Sequence, residues 1–143
     1  MARNQIRIEA SREAVFALLA EPERYADWIL GTSETRGANG DWPGEGSSLR
    51  YRAGIGPIAL SDVTEVVESD PPRRLLVRAR MRPFGETAIE LELEPEDTGT
   101  RLVMTEEPVE GLVEAAHGSV VDAALSARNE HTLERLRALV EGE

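Results

Sequence analysis

The sequence predicts an α+β protein in which a long C-terminal helix covers one face of an antiparallel sheet. Apolar residues alternate with period two from about Trp28 to Glu107, whereas helical periodicity is confined to the two ends of the chain. Strands in a continuous run, with helices segregated from them, are typical of this class. The 143 residues suit one core, so we expect a single domain over residues 1–143.

The chain begins with a strand and two short helices. Residues 3–9 alternate, with isoleucines on one face, which predicts a strand. Ser11 is a suitable N-cap for a helix over residues 12–20. Pro22 can open a second short helix, PERYADW, because the N–H that proline lacks is not needed in a first turn.

Three strands and their turns follow. The first covers roughly residues 29–37 and ends in a glycine-rich loop around residues 40–46. The next two strands are SLRYRA and IALSDVTEVVE, which the turn GIGP separates, and SDPPRR closes the second of them.

The next two strands, LLVRARM and ETAIELELE, are expected to form a hairpin around PFG. Pairing Arg78 with Glu90, Arg74 with Glu94 and Arg82 with Glu86 places opposite charges across the two strands, which is favourable. The other face is then apolar and carries Leu75, Val77, Ala79 and Met81 against Leu93, Leu91, Ile89 and Thr87. A slip of one residue would destroy both patterns, which favours this register.

The last strand brings a carboxylate to the apolar face. After the turn EDTG, pairing Leu93 with Leu102 puts Glu106 opposite Ile89. Glu106 could act as a general base or a hydrogen-bond acceptor in a buried site. The neighbouring Glu107 suggests an exposed strand end, which favours a solvated Glu106.

The C-terminal helix, within residues 119–142, has polar residues in its apolar stripe. Asn129 and Thr132 fall on the side formed by Val121, Leu125, Leu136, Leu139 and Val140. Such polar groups need partners, so either the core satisfies them or this side faces a cavity, and we favour the cavity. Arg128 lies at the margin, where we expect its guanidinium to reach solvent past its own stem.

Composition removes several function classes. The net charge of −11 disfavours binding to nucleic acid and to anionic membranes. The chain has no cysteine, and all 16 of its basic residues are arginine, which excludes thiol catalysis, lysine Schiff bases and a Walker-type phosphate loop. Only two histidines occur, without metal-binding spacing, so we expect no metal and no cofactor.

The chain shows neither a membrane span nor a signal peptide, so we expect a cytoplasmic protein.

The whole chain resembles the START/Bet v 1-like (SRPBCC) superfamily, in particular its polyketide cyclase/dehydrase-like group. The segments that carry the resemblance are IRIEASREAVFALLAEPERYADW, GEGSSLRYR, VTEVVESDPPRRLLVRAR and TLERLRALVEG. The resemblance implies a helix-grip fold, in which a curved antiparallel sheet of about seven strands wraps around the C-terminal helix and leaves a cavity. Members hold lipids, polyketides, quinones or other apolar molecules, and some catalyse cyclisation or aromatisation there.

We therefore expect the protein to bind a small hydrophobic molecule, lipid-, polyketide- or quinone-like, between sheet and C-terminal helix. One alternative is a polyketide cyclase, aromatase or dehydratase acting in the same cavity, and whether the chain is an enzyme stays open. Another is a protein-interaction or chaperone-adaptor module. We expect no nucleic-acid partner and no membrane insertion, and either a monomer or a homodimer.

The predicted ligand-binding residues are Trp28, Tyr51, Ile89, Leu91, Met104, Glu106, Asn129 and Thr132. The candidates for proton transfer are Glu106 and His117, although a histidine in a glycine-flanked loop is more often simply exposed. Trp42 could cover a ligand or contact a partner, and His131 is expected at the surface.

Overall fold

The computed structural model describes residues 1–24, 32–55, 58–80, 85–110 and 119–142, with the backbone alone at 22, 32–37, 53–55, 58–62, 110 and 119–121. Its strands are β1 Ala2–Ile8, β2 Thr32–Asn39, β3 Ser48–Ile55, β4 Ile58–Asp70, β5 Arg74–Arg80, β6 Glu86–Glu96 and β7 Gly99–Glu110. Its helices are α1 Arg12–Leu19 and α2 Ser119–Glu141, and a 3-10 turn covers Pro22–Arg24.

The seven strands form one curved antiparallel sheet in the order β1-β7-β6-β5-β4-β3-β2. Strands that follow each other from β2 to β7 are neighbours, and β1 closes the row beside β7. Register shifts that bend a strand occur between β2 and β3, at Val67 of β4 and at Val109 of β7. The predicted α+β class and the sheet of about seven strands are confirmed.

The sheet has an apolar inner face and a charged outer face, as the alternation predicts. The inner face forms the core together with α1 and the C-terminal half of α2, where Leu133 and Leu136 are almost completely buried. Leu139 and Val140 pack against the same cluster. The hydrophobic stripe of α2 therefore covers the inner face of the sheet.

Helix α2 runs alongside β1 in the same direction. The side-chain amide of Asn4 donates to the carbonyl oxygen of Ser126 at 3.0 Å, and the backbone N–H of Glu9 donates to the Glu141 carboxylate at 2.8 Å. The helix ends at Glu141, and Gly142 after it has a φ of 79°, the left-handed conformation that terminates many helices. These contacts define which residues of α2 oppose which part of the sheet.

The structure contains the predicted N-terminal strand and helix, and part of the second short helix. Ser11 caps α1, because its Oγ accepts a hydrogen bond from the N–H of Ala14 at 3.1 Å. The second short helix was predicted over PERYADW, and its first three residues form the 3-10 turn. The rest of that prediction, Trp28 included, lies outside the described residues.

The predicted register of the β5–β6 hairpin is wrong by two residues. Arg74 lies opposite Glu92 rather than Glu94, and Arg78 lies opposite Ala88 rather than Glu90. A shift of two residues keeps every side chain on its predicted face, so the alternating pattern cannot distinguish the two registers. The charges still pair diagonally, since the Arg74 Nε donates to Glu90 at 2.6 Å. Arg82 and Met81, also part of the predicted pairing, lie outside the described residues.

The predicted register between β6 and β7 is confirmed. Leu93 pairs with Leu102, and Glu106 pairs with Ile89. The turn between the strands includes Asp97 at a φ of 53°, a conformation that aspartate tolerates better than most residues. This register places Glu106 on the inner face of the sheet.

Candidate functional site

Glu106 is completely buried on the inner face of the sheet. It lies on β7 between Ile89 of β6 and Ala2 of β1, and its side chain is 0% exposed. The surrounding strands contribute mostly hydrocarbon at this level, because Ile89 lies beside Val77 and then Val66 across the sheet. A carboxylate in such surroundings is costly unless a charged partner and hydrogen bonds compensate it.

Helix α2 supplies both forms of compensation. The Asn129 Nδ2 donates to Glu106 Oε1 at 3.0 Å, and the Arg128 Nη2 donates to the same oxygen. The guanidinium also donates from Nε and Nη2 to Asn129 Oδ1, at 3.3 and 3.2 Å. The three side chains, which we call the Glu106 triad (Glu106, Arg128 and Asn129), form a closed hydrogen-bonded set whose charges cancel.

Two sequence expectations are therefore wrong. Glu106 is not solvated, because Ala2 and Ile89 on the flanking strands and α2 above it exclude water from this end of β7, whereas Glu107 is exposed as expected. Arg128 does not carry its guanidinium past its stem into solvent, because the buried carboxylate attracts it, and its side chain is only 30% exposed. Asn129 is fully buried, and Glu106 supplies the partner that its place in the apolar stripe requires.

On the inner face of the sheet, the row next to that of Ile89, Val77 and Val66 carries small and hydroxylated residues on β4, β5 and β6. Thr64 of β4 lies opposite Ala79 of β5, Ala79 opposite Thr87 of β6, and Thr87 opposite Pro108 of β7. Both threonines are almost completely buried, at 0% and 1% exposure. The row continues on β3 with Leu49, a fully buried aliphatic residue opposite Thr64, whereas its positions on β4, β5 and β6 carry no large aliphatic side chain.

Three buried polar atoms in the described part of the chain have no hydrogen-bond partner. They are Glu106 Oε2, Thr87 Oγ1 and Asn4 Oδ1. They belong to the neighbouring strands β7, β6 and β1. Asn4 faces Met104 across the β1–β7 pair, so Asn4 and Thr87 each lie two residues along the chain from the direct strand neighbours of Glu106. Diagonal neighbours of this kind lie about 7–8 Å apart, and the two are on opposite sides of Glu106 along the strands.

The other predicted site residues are all buried where they are described. Ile89, Leu91 and Met104 belong to the core cluster, and Thr132 is 2% exposed on α2. Tyr51 also points inward, and its hydroxyl donates to the carbonyl oxygen of Arg80 at 2.6 Å.

Residues outside this set have different surroundings. Trp42 packs partly against the core, and its indole N–H donates to the Leu19 carbonyl oxygen at 3.2 Å. His131 is exposed as expected. The prediction for His117 lies outside the described residues, as does that for Trp28.

Sequence reasoning did not single out Asn4, although its position alternates with Ile6 and Ile8 and so belongs to the inner face. It also missed Arg128 as a partner of Glu106, because no pattern within either element links residues 22 positions apart. Within the described ranges, no three acidic or histidine side chains are grouped as a metal site. Nor does any helix there have the length and apolar character needed to cross a bilayer.

Solved structures with the same architecture cover the chain almost completely. A Rhodobacter sphaeroides protein is 22% identical with a TM-score of 0.75, covering 99% of this chain and 93% of its own. Ara h 8.0201 is 10% identical with a TM-score of 0.76, covering 99% and 97%. The di-domain ARO/CYC protein BexL from the BE-7585A biosynthetic pathway is 18% identical with a TM-score of 0.72, covering 94% of this chain and 48% of its own. A comparison with curated proteins gives no match.

These likenesses, together with the sheet order and the terminal helix, define the class of protein as the Bet v 1-like, helix-grip fold of the SRPBCC superfamily. A family model describes the relationship more closely, because it matches residues 2–141. The chain belongs to the family described as "Polyketide cyclase / dehydrase and lipid transport".

Proposed function

We propose that the protein binds a small, mostly apolar molecule between the inner face of the sheet and the middle of α2. The observation that carries the proposal is the buried Glu106 triad, which leaves Glu106 Oε2 without a partner inside a largely hydrocarbon interface. Buried polar groups are hydrogen-bonded in most proteins, and the exceptions are often sites where another molecule completes the set. A ligand with an apolar body and a polar group would do so here.

The row formed by Thr64, Ala79 and Thr87 supports the same location. Its small side chains would leave room beside the triad, whereas Leu133 and Leu136 fill the interface nearer the helix C-terminus. In this proposal the apolar wall consists of Ile89, Leu91 and Met104, and Tyr51 and Thr132 border the ligand. Lipid- and polyketide-like molecules fit the family description, and a quinone-like molecule would offer a similar apolar body.

The test is binding of the uncharged fluorescent probe N-phenyl-1-naphthylamine, with Ala79→Leu as the variant. Ala79 is buried in the middle of the small-residue row, so leucine would occupy the proposed ligand space. We expect the wild type to bind the probe and the variant to bind it at least about tenfold more weakly, since several methylene contacts are replaced. Native mass spectrometry of the purified protein checks for a co-purified ligand.

The matched control is Ala123→Leu, the same change at an exposed position of α2. It should leave probe binding unchanged. If the wild type does not bind the probe, and Ala79→Leu lowers the free energy of unfolding by the roughly 1–3 kcal/mol typical of overpacked cores, the interface is solid and the proposal is wrong.

The position of Glu106 also favours a second candidate, an aromatase, cyclase or dehydratase acting at the same site. Glu106 Oε2 would accept a proton from the substrate and return it to a departing oxygen, while Asn129 orients the carboxylate. A Glu106→Gln variant that stays folded should then lose turnover of a polyketide-like substrate by at least about a hundredfold. Turnover that survives this change would leave binding as the function.

The adaptor alternative would require a continuous exposed apolar patch. Among the described residues the large apolar side chains that are exposed are Met1, Val67 and Val109. Val67 and Val109 lie on β4 and β7, with two strands between them. The described surface therefore offers no observation in favour of an adaptor.

A further inference from the structure

We infer that the ligand of this site is an uncharged molecule that presents a hydroxyl or phenol donor to Glu106 Oε2, and not a fatty acid or another carboxylate. This inference rests on the proposed function and deepens it. It follows from the hydrogen-bonding chemistry of the three unpartnered atoms. Membership of the family does not by itself specify the polar group of the ligand.

Two of these three atoms are obligate acceptors. Glu106 Oε2 belongs to a carboxylate whose other oxygen already accepts from Arg128 and Asn129. Asn4 uses its Nδ2 to donate to the carbonyl and hydroxyl oxygens of Ser126, at 3.0 and 3.2 Å, which assigns its unpartnered atom as the carbonyl oxygen. The third atom, the Thr87 hydroxyl, can donate or accept. A molecule that completes this set must therefore supply donors.

The charges of the site also favour a ligand that donates a hydrogen bond over one that carries a negative charge. Arg128 is the cation of the Glu106 triad, and its guanidinium is already directed at Glu106 Oε1 and Asn129 Oδ1. A ligand carboxylate would meet Glu106 Oε2 and Asn4 Oδ1, both of which repel an anion in a medium of low dielectric constant. A ligand hydroxyl would instead make a charge-assisted hydrogen bond to Glu106, which is among the stronger types.

Glu106 Oε2 is the central one of the three unpartnered atoms, because Asn4 and Thr87 lie on opposite sides of Glu106 along the strand direction. Asn4 and Thr87 flank Glu106 on the two neighbouring strands, at diagonal positions about 7–8 Å from Glu106. A ligand whose hydroxyl lies at Glu106 Oε2 is therefore one diagonal step from either Asn4 or Thr87, and a naphthalene-sized skeleton extends toward one of the two. The structure thus assigns the polar end of the ligand to the inner face of the sheet at β7, next to β1 and β6.

The experiment compares three probes of one skeleton: 2-naphthol, its methyl ether 2-methoxynaphthalene, and 2-naphthoate, each displacing N-phenyl-1-naphthylamine from the wild-type protein. We expect 2-naphthol to bind at least about tenfold more tightly than the methyl ether, which lacks the donor, and 2-naphthoate to bind most weakly.

Glu106→Gln gives the second measurement. Its amide oxygen can still accept from Arg128 and Asn129, which places the NH2 group where Oε2 was and turns the acceptor into a donor. The preference for 2-naphthol should then disappear or reverse. Glu107→Gln, the same change at the exposed neighbouring position, should keep the preference of the wild type.

The outcomes separate this inference from the proposed function. If neither the fluorescent probe nor any naphthalene binds, the proposed function fails. If the fluorescent probe binds and 2-naphthol and its methyl ether displace it equally, or not at all, ordered water satisfies these atoms and the inference alone is overturned. Tighter binding of 2-naphthoate would also overturn it. Because the comparison in the wild type needs no variant, it decides the question even if Glu106→Gln does not fold.

Discussion

Glu106 shows how strongly one buried charge constrains its surroundings. Its carboxylate is fully buried, and it persists because Arg128 and Asn129 both donate to Oε1 from the neighbouring helix. Removing one member of such a pair leaves an uncompensated charge, whereas removing both leaves only a change in packing. The cost of each single substitution should therefore exceed what the pair contributes to stability.

The first prediction is a non-additive double-mutant cycle between Glu106→Met and Arg128→Met. Arg128→Met should lower the free energy of unfolding by about 3 kcal/mol at pH 7, because it leaves the buried carboxylate without its cation. Glu106→Met should cost somewhat less, about 2 kcal/mol, because the partly exposed Arg128 can turn toward water. The double variant should cost less than the sum of the two.

Urea unfolding measures all three variants. Arg135→Met is the control, because Arg135 is an exposed arginine on the same helix and its removal should change stability by no more than about 0.5 kcal/mol. Additive effects of the two substitutions would show that Glu106 and Arg128 do not stabilise each other.

Among the elements, the β5–β6 hairpin is held by its apolar face and by diagonal ion pairs. Arg74 binds both Glu68 and Glu90, and Arg78 Nη2 lies 2.8 Å from Glu86. The outer face of β6 also concentrates like charges, because Glu90, Glu92 and Glu94 follow each other at alternate positions. Burial, and then the charge of Glu90, raises the pKa of the Glu92 carboxyl above its ordinary value.

The second prediction concerns Glu92→Gln. A raised pKa in the folded state means that the ionised carboxylate opposes folding, so the stability associated with Glu92 is complete at low pH and is lost as the pH rises through the folded pKa. The glutamine variant should be more stable than the wild type by about 0.5 kcal/mol at pH 7. This gain should vanish below about pH 4, where glutamate is protonated in both states.

Thermal or urea unfolding at pH 7 and at pH 3.5 checks this prediction. Glu94→Gln provides the comparison, because it removes the same charge from a more exposed position on the same strand, opposite Arg101, and should give a smaller gain. A Glu92→Gln protein that is less stable than the wild type at pH 7 would mean that attraction to Arg74 exceeds the cost of burial.

For the molecule as a whole, the two halves of α2 have different roles. The C-terminal half carries Leu133 and Leu136, which belong to the core cluster and hold the helix on the sheet. The middle carries Asn129 and Thr132, and Leu125 is buried without belonging to that cluster among the described residues. The apolar contacts between α2 and the core cluster are thus concentrated in the C-terminal half of the helix, while the proposed binding site lies at its middle.

The third prediction follows from this division. Leu136→Ala should lower the free energy of unfolding by about 3 kcal/mol, because Leu136 is fully buried in close-packed surroundings. Leu125→Ala should cost only about 1 kcal/mol, because the proposed ligand space beside it would leave Leu125 with fewer packing contacts than Leu136 has. The two changes are matched in chemistry, and chemical denaturation compares them directly. Equal costs would place Leu125 in a solid core and would count against the proposed site.

The order of the elements, the two faces of the sheet and the N-cap of α1 could be predicted, because period-two and helical patterns in the sequence report directly which side of an element is buried. The register between β6 and β7 could be predicted as well. The alternating pattern could not distinguish two β5–β6 registers that differ by two residues, because side chains two positions apart share a face. The composition of that hairpin loop does not remove the ambiguity.

The partner of Glu106 could not be derived from the sequence. Whether a carboxylate at the end of an apolar strand is solvated or buried depends on where α2 lies against the sheet. That position depends on contacts far along the chain, such as the packing of Leu136 and the hydrogen bond between Asn4 and Ser126. The contact with Arg128 exists only once helix and sheet are docked, because the local patterns of β7 and α2 are the same with or without it. Patterns local to the chain thus specify faces and elements, while contacts between distant elements specify the chemistry of the site.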